Sequence, residues 1–219
     1  MKNTVLALTS ATLFGFAATA HAAPEFFVGA EAGYQNIDME AGLSYSNNSY
    51  QYGASEDYSM SGVSGGIFAG MKFNVNSSFY LAPEVNFGTS NAKGGVSDSG
   101  SDISGYSYSE SYELEAGTSY GLGLLAGFNV TEATSIYGRL GYQRTNFELT
   151  ESSFDSFSGS ESFSGDEDLN GVGYGVGIET ALTPVVAQYS DYSYTTEFDE
   201  KATLDPTESQ FQVGVSYRF

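Results

Sequence analysis

The chain has 219 residues and a formal net charge of −20, from 27 acids against 7 bases. Neutralising nucleic-acid phosphates takes clustered Lys and Arg, so this balance excludes a nucleic-acid binder. Aromatic residues at 15% and 27 glycines supply surface to bury and favour strands and turns, which excludes both a disordered and a helical chain.

The first element is a targeting segment. Lys2 precedes an apolar, small-residue stretch from Val5 to Ala20, and Ala20-His21-Ala22 fits the A-x-A cleavage rule. This predicts a signal peptide over 1–22, cleaved before Ala23, and one mature domain over 23–219. The single His is His21 and the chain has no Cys. Processing therefore removes every Ser-His-Asp triad, Cys-His pair and His-ligated zinc site from consideration. The mature chain is read as non-enzymatic. Export leads to an oxidising compartment, where this chain can form no disulfide.

Beyond the leader no run of about eighteen apolar residues occurs, so no transmembrane helix is expected. Period-two alternation recurs instead, predicting eight strands near 26–38, 61–73, 79–90, 117–128, 135–147, 170–182, 185–196 and 208–219. In the sixth, Val172, Tyr174, Val176 and Ile178 alternate with Gly171, Gly173, Gly175 and Gly177. In the seventh, Asp191 falls in phase with Ala187 and Tyr189, which predicts a shift or bulge there. In the eighth, Phe211, Val213, Val215, Tyr217 and Phe219 form the apolar phase.

The connections alternate in length. Short ones fall near Asn74–Ser78, Asn129–Thr134 and Thr183–Pro184, and long ones near 39–60, 91–116, 148–169 and 197–207. Outer-membrane barrels pair short periplasmic turns with long external loops. A strand in lipid must pair every backbone group with a neighbour, so such a sheet closes, with its apolar face outward. The outward phase here includes Val28, Val63, Ile67, Val85, Leu122, Leu140, Val176 and Val215. The opposite phase holds Glu31, Lys72, Glu84, Arg139, Glu179, Arg218 and a row of glycines that makes room for Tyr80, Phe68, Tyr137 or Arg139. In a soluble barrel that glycine row would face water and weaken its strand without benefit. Aromatics collect at strand ends, with Phe26, Phe73, Phe79, Phe128, Tyr217 and Phe219 on the short-turn side. Tyr34, Phe87 and Phe147 lie towards the long loops. Two such girdles mark a bilayer.

The segments Tyr137-Gly138-Arg139-Leu140-Gly141-Tyr142 and Gly173-Tyr174-Gly175-Val176-Gly177-Ile178-Glu179, followed by Ala181-Leu182-Thr183-Pro184, resemble the small outer-membrane β-barrel family of OmpA-like and opacity-like proteins. The resemblance covers the mature chain. It implies a single eight-stranded antiparallel transmembrane β-barrel in the outer membrane of a Gram-negative cell, monomeric and in contact with lipid and lipopolysaccharide. It also implies that the alternation from Phe211 through Val213, Val215 and Tyr217 to Phe219 is the signal read by the barrel-assembly machinery.

Eight strands leave a bore that side chains fill. Glu31, Glu84 and Glu179 then face Lys72, Arg139 and Arg218, and inward charges need partners. Arg139 with Glu179 is the expected pair. A static plug is one reading of this network, and a narrow channel for small solutes the alternative. The long loops carry most of the acids. Within them Asp166-Glu167-Asp168 is a candidate for weak Ca²⁺ or Mg²⁺ binding, although it lacks the D-x-D-x-D-G spacing. No cofactor is otherwise expected. The interleaved Tyr106-Ser107-Tyr108-Ser109-Glu110-Ser111-Tyr112 suits an adaptable recognition surface, making adhesion through the loops a further alternative.

Overall fold

The computed structural model describes residues 23–46, 51–103, 105–180, 185–195 and 202–219. These form β1 (Glu25–Ser46), β2 (Gln51–Asn74), β3 (Phe79–Ser90), β4 (Lys93–Ser101), β5 (Ser107–Asn129), β6 (Thr134–Asp155), β7 (Gly159–Thr180), β8 (Val185–Thr195) and β9 (Ala202–Arg218). The described residues include no helix. The expected leader at 1–22 and the turn at Thr183–Pro184 lie outside them, as do Glu197, Asp199 and Glu200 of the last long connection.

Every pairing is antiparallel, and β1 bonds to both β2 and β9, from Phe27↔Arg218 upward, so the sheet closes. β3 and β4 share one place beside β5, giving a ring of eight positions. At the step between them the Asn91 side chain accepts from the Val63 amide at 2.9 Å. A Cβ on Gly62 would stand 2.5 Å from the Ala92 Cα, so only glycine admits this crossing.

The two described short turns use the same device. Asn76 Oδ1 accepts from the Ser78 and Phe79 amides, each at 2.9 Å. Thr131 Oγ1 accepts from the Ala133 and Thr134 amides at 3.2 and 3.0 Å. Side-chain oxygens thereby satisfy turn amides that the ladder leaves open.

The long connections differ from expectation. β6 alone has 22 residues, whereas about 9–11 tilted residues cross the hydrocarbon. Most of the residues read as loops at 91–116 and 148–169 continue the ladder, with Tyr108↔Asp155 and Asp155↔Gly159 near the tips. Their Ser- and acid-rich composition distinguishes water from lipid, not strand from loop. A register shift between Ala116 and Ser119 turns the alternate phase of β5 inward, bringing Ala116 into the buried cluster with Phe147.

The faces sort as a membrane requires. Val176, Ile178, Val213 and Val215 are 63, 47, 46 and 56% exposed, whereas Arg139 and Glu84 are 5 and 8% exposed. On β6 the outward phase reads Ile136, Gly138, Leu140 and Tyr142, then turns polar at Arg144 and Asn146. Phe26 stacks on Phe219 across the closing seam at 6.3 Å between ring centroids. Phe147 departs from the expected girdle. It points inward, buried, and meets the Tyr194 ring edge-on at 5.7 Å. Phe73 is buried as well. Asp191 needs no bulge, since β8 pairs continuously with both neighbours. Its carboxylate stands at the polar edge of the outer face and accepts from the Tyr189 and Ser209 hydroxyls, both at 2.7 Å.

Candidate functional site

The bore is filled in three layers. Towards the short turns, Phe68, Tyr80, Ala82, Leu125, Tyr137 and Val186 form a buried apolar cluster. Towards the outside, Ile37, Met39, Met60, Ala92, Ala116, Phe147, Leu169, Tyr192 and Tyr194 form another. Glycines on adjacent strands make this packing possible. A Cβ would run into the Tyr80 ring at Gly127, the Tyr137 ring at Gly177 and the Phe68 ring at Gly29. At Gly171 and Gly173 it would meet Tyr194 and Tyr192. Of the residues the glycine row was expected to admit, it takes Tyr137 at Gly177; Gly171, Gly173 and Gly175 face Tyr194, Tyr192 and Ser190, while Phe68 and Tyr80 use Gly29 and Gly127.

Between the apolar layers lies a polar network. Arg139 reaches Glu84 at 3.3 Å, with side chains 4 and 7% exposed, and also donates to the Tyr192 hydroxyl. Gly123 stands opposite Glu84 in the ladder, two residues from the Arg139 partner Leu125, and a Cβ there would be 3.1 Å from the Arg139 Nε. Gln188 donates to Glu31 at 3.0 Å and to Gln212 at 2.9 Å, and accepts from Tyr137 at 3.1 Å. Nearer the short turns, Glu179 pairs with Arg218 at 2.5 Å and accepts from Ser216 at 3.1 Å. Lys72 Nζ sits 3.9 Å from the centre of the Tyr80 ring. A cavity of about 20 Å³ remains among these groups, with Glu31, Lys72, Glu84, Glu179 and Arg218 in its wall.

All six inward charges therefore line the bore, but the expected Arg139–Glu179 pair does not form. Arg139 stands opposite Gly175 and Glu179 opposite Ser135, four residues apart along the ladder, or roughly 13 Å at the strand rise. The glycine opening on β5 directs Arg139 to β3 instead. Glu208 was missed. It is buried, accepts from the Tyr194 hydroxyl and the Gln210 amide, and has no base in ion-pair reach among the described residues. Its signal was its phase, shared with Gln210 and Gln212 on the last strand.

Asp166-Glu167-Asp168 is strand, not loop, so successive carboxylates point to opposite faces. Asp168 is already held by Arg144 at 2.8 Å and Asn146 at 3.0 Å. The Asn146 hydrogen bond first, then the hydrogen bond and charge of Arg144, keep its carboxyl below the ordinary carboxylate range. Among the described residues no three acids converge as metal ligands. Phe211, Val213, Val215, Tyr217 and Phe219 all face outward on the closing strand.

A closed antiparallel ring with an apolar exterior and a packed polar bore defines an outer-membrane β-barrel. The sequence profile of the outer membrane protein beta-barrel domain matches residues 6–219, and the chain belongs to that family. Among solved structures, the outer membrane protease OmpT of Escherichia coli is similar at 9% identity and a TM-score of 0.50, over 89% of this chain and 97% of its own. Neisserial surface protein A is similar at 16% and 0.42, over 88% of this chain and 97% of its own. The attachment invasion locus protein Ail of Yersinia pestis, solved with the heparin analogue sucrose octasulfate, is similar at 15% and 0.34, over 88% and 99%. At 9% identity the likeness to OmpT is one of fold alone. No curated protein matches the sequence.

Proposed function

We propose that the mature chain is a monomeric, non-catalytic barrel of the outer membrane, with a plugged bore and a structural and surface-interaction role. The observation that carries this reading is the filling of the bore, two apolar layers enclosing a hydrogen-bonded polar one. A cavity of about 20 Å³ holds about one water molecule. Ions crossing it would have to displace buried aromatics and separate the Arg139–Glu84 pair. Reconstitution in planar bilayers tests this. No conductance steps above the lipid background are expected, and regular steps would overturn the plug in favour of a narrow channel.

The surface-interaction part rests on strand length, since β5 and β6 run far beyond what a bilayer requires. Lipid and lipopolysaccharide surround the outward face, and the alternation ending at Phe219 serves assembly-machinery recognition during insertion. Mass spectrometry of the membrane-extracted protein should find Ala23 at its N-terminus. An intact Met1 would refute the leader.

A further inference from the structure

Above the membrane level, the alternation on β5 and β6 changes its chemistry. Within the bilayer the outward phase is apolar and the inward phase mixes aromatic and polar groups. Beyond it, the outward phase becomes mainly hydroxylic and acidic, with Phe154 the exposed apolar residue on β6. Ser97, Ser111, Ser152 and Ser162 stand in one row across β4, β5, β6 and β7. The phase continuous with the bore carries a partly apolar row behind it, Val96, Tyr112 and Phe163 with Glu151 among them. Leu114 and Leu149 lie directly below, and Leu114 packs on the outer apolar cluster. The next row towards the tips is Asp98, Glu110, Ser153 and Glu161.

A sheet in water does not concentrate apolar side chains on one face unless that face is covered. Here the bottom of the face is covered and the top is open. Val96, Tyr112, Leu149 and Phe163 are 43, 40, 41 and 66% exposed. Charge selects the occupant. Lys93 and Arg144, the bases nearest this sheet among the described residues, belong to the opposite phase and are engaged by Glu115 at 2.7 Å and Asp168 at 2.8 Å. The inner face carries acids and no base. Tyr112 donates to Glu151 and Tyr108 to Asp98, each at 3.2 Å, which fixes aromatic rings beside carboxylates. A ring next to a carboxylate suits guanidinium, which stacks on the one and hydrogen-bonds the other.

We propose that the inner face of the raised β4–β7 sheet is a docking surface for an extended, arginine-bearing polypeptide segment of a partner outside the cell. This rests on the surface-interaction reading and specifies its face and partner chemistry. Side chains on the sheet repeat about every 7 Å along a strand, the spacing of alternate residues in an extended segment. Arginines and apolar residues at alternate positions would therefore meet the acidic and apolar rows in turn.

The test uses the full barrel in phospholipid nanodiscs and a fluorescent capped peptide of Arg-Ser-Val-Ser repeats, which sets Arg and Val in turn along one face, with Gln-for-Arg and Glu-for-Arg counterparts. The Arg peptide is expected to bind saturably and the Gln peptide about tenfold more weakly or worse. Y112S with F163S should weaken Arg-peptide binding by a similar factor, whereas S111A with S152A on the outer face should leave it unchanged. Unboiled gel mobility verifies that each variant is a closed barrel. Equal binding of the Gln peptide, unchanged binding by the inner-face variant, an equal loss from the outer-face variant, or no saturable binding would each overturn the proposal. The broader reading is tested separately by shortening both hairpins and measuring attachment of cells displaying the barrel. Loss of attachment with no Arg-peptide binding to the intact barrel refutes the partner chemistry alone. Undiminished attachment refutes the surface-interaction role itself.

Discussion

Replacing Arg139 by Met would leave Glu84 buried without its cation. At 3.3 Å and an effective dielectric near 20, the Coulomb attraction between the two is about 5 kcal/mol. Breaking one side of such a buried pair typically costs about 3–5 kcal/mol, because the stranded charge keeps its desolvation penalty. R139M also removes the bond to Tyr192, so a loss of about 3–5 kcal/mol is expected. Urea unfolding in detergent micelles, followed by the β-sheet circular dichroism band, reads this directly. With a slope of about 2 kcal/mol per molar urea, the midpoint falls by roughly 1.5–2.5 M. E84Q alone should cost a comparable amount by stranding Arg139. The double variant R139M/E84Q strands neither partner and should cost no more than either single, a coupling of about 3 kcal/mol. Single variants within about 0.3 M of the parent, or a double variant equal to the sum of the singles, would refute the pairing.

Gly127→Val pushes a side chain into the space of the Tyr80 ring. It should destabilise the barrel by about 1–3 kcal/mol, seen as a lower midpoint in the same urea assay, and Y80L in the same chain should recover most of the loss. On the lipid face, V176R is expected to cost about 2–4 kcal/mol, whereas S152R on the raised sheet should leave the midpoint within error. The carboxylate of Asp155 accepts from the Ser158 and Phe157 amides at 2.7 and 2.8 Å, which holds its pKa below the ordinary value. A depressed carboxylate stabilises the turn above its unfolded-state pKa and loses that contribution as pH falls through the folded value. Nuclear magnetic resonance at falling pH should therefore show the Phe157 and Ser158 amide shifts moving together below about pH 4. In D155A these amides should exchange faster at neutral pH, and equal exchange would refute the cap.

Which residues face lipid was legible in the sequence, because lipid imposes one rule on every strand. Val176 and Val215 alternate with small or ionic neighbours, and on a water-facing side the Gly171, Gly173, Gly175 and Gly177 row would weaken its strand without benefit. The Arg139 partner was not legible. It depends on the stagger between β3 and β6, two strands separated by β5, and on Gly123 opening the path, neither of which periodicity records. Phe147 misled because aromatic character marks both a membrane girdle and a core, and only its phase beside Gln143 and Thr145 tells them apart. The raised sheet was mistaken for loops because outside lipid a strand is free to carry serines and acids. There the alternation survives while the expected polarity of each face does not.

The seam between β1 and β9 joins the beginning of the folded chain to its end, with Phe27 against Arg218 and Phe26 against Phe219. Nothing shorter than the whole barrel can shut it, and its contacts are those of greatest sequence separation in the ring. A chain cut short before its final strand would present two unsatisfied backbone edges in a medium with no water to satisfy them. Such a fragment has no stable resting place in the bilayer. Pairing of β9 with both β1 and β8 is thereby a condition for membrane residence, one that no smaller set of strands meets.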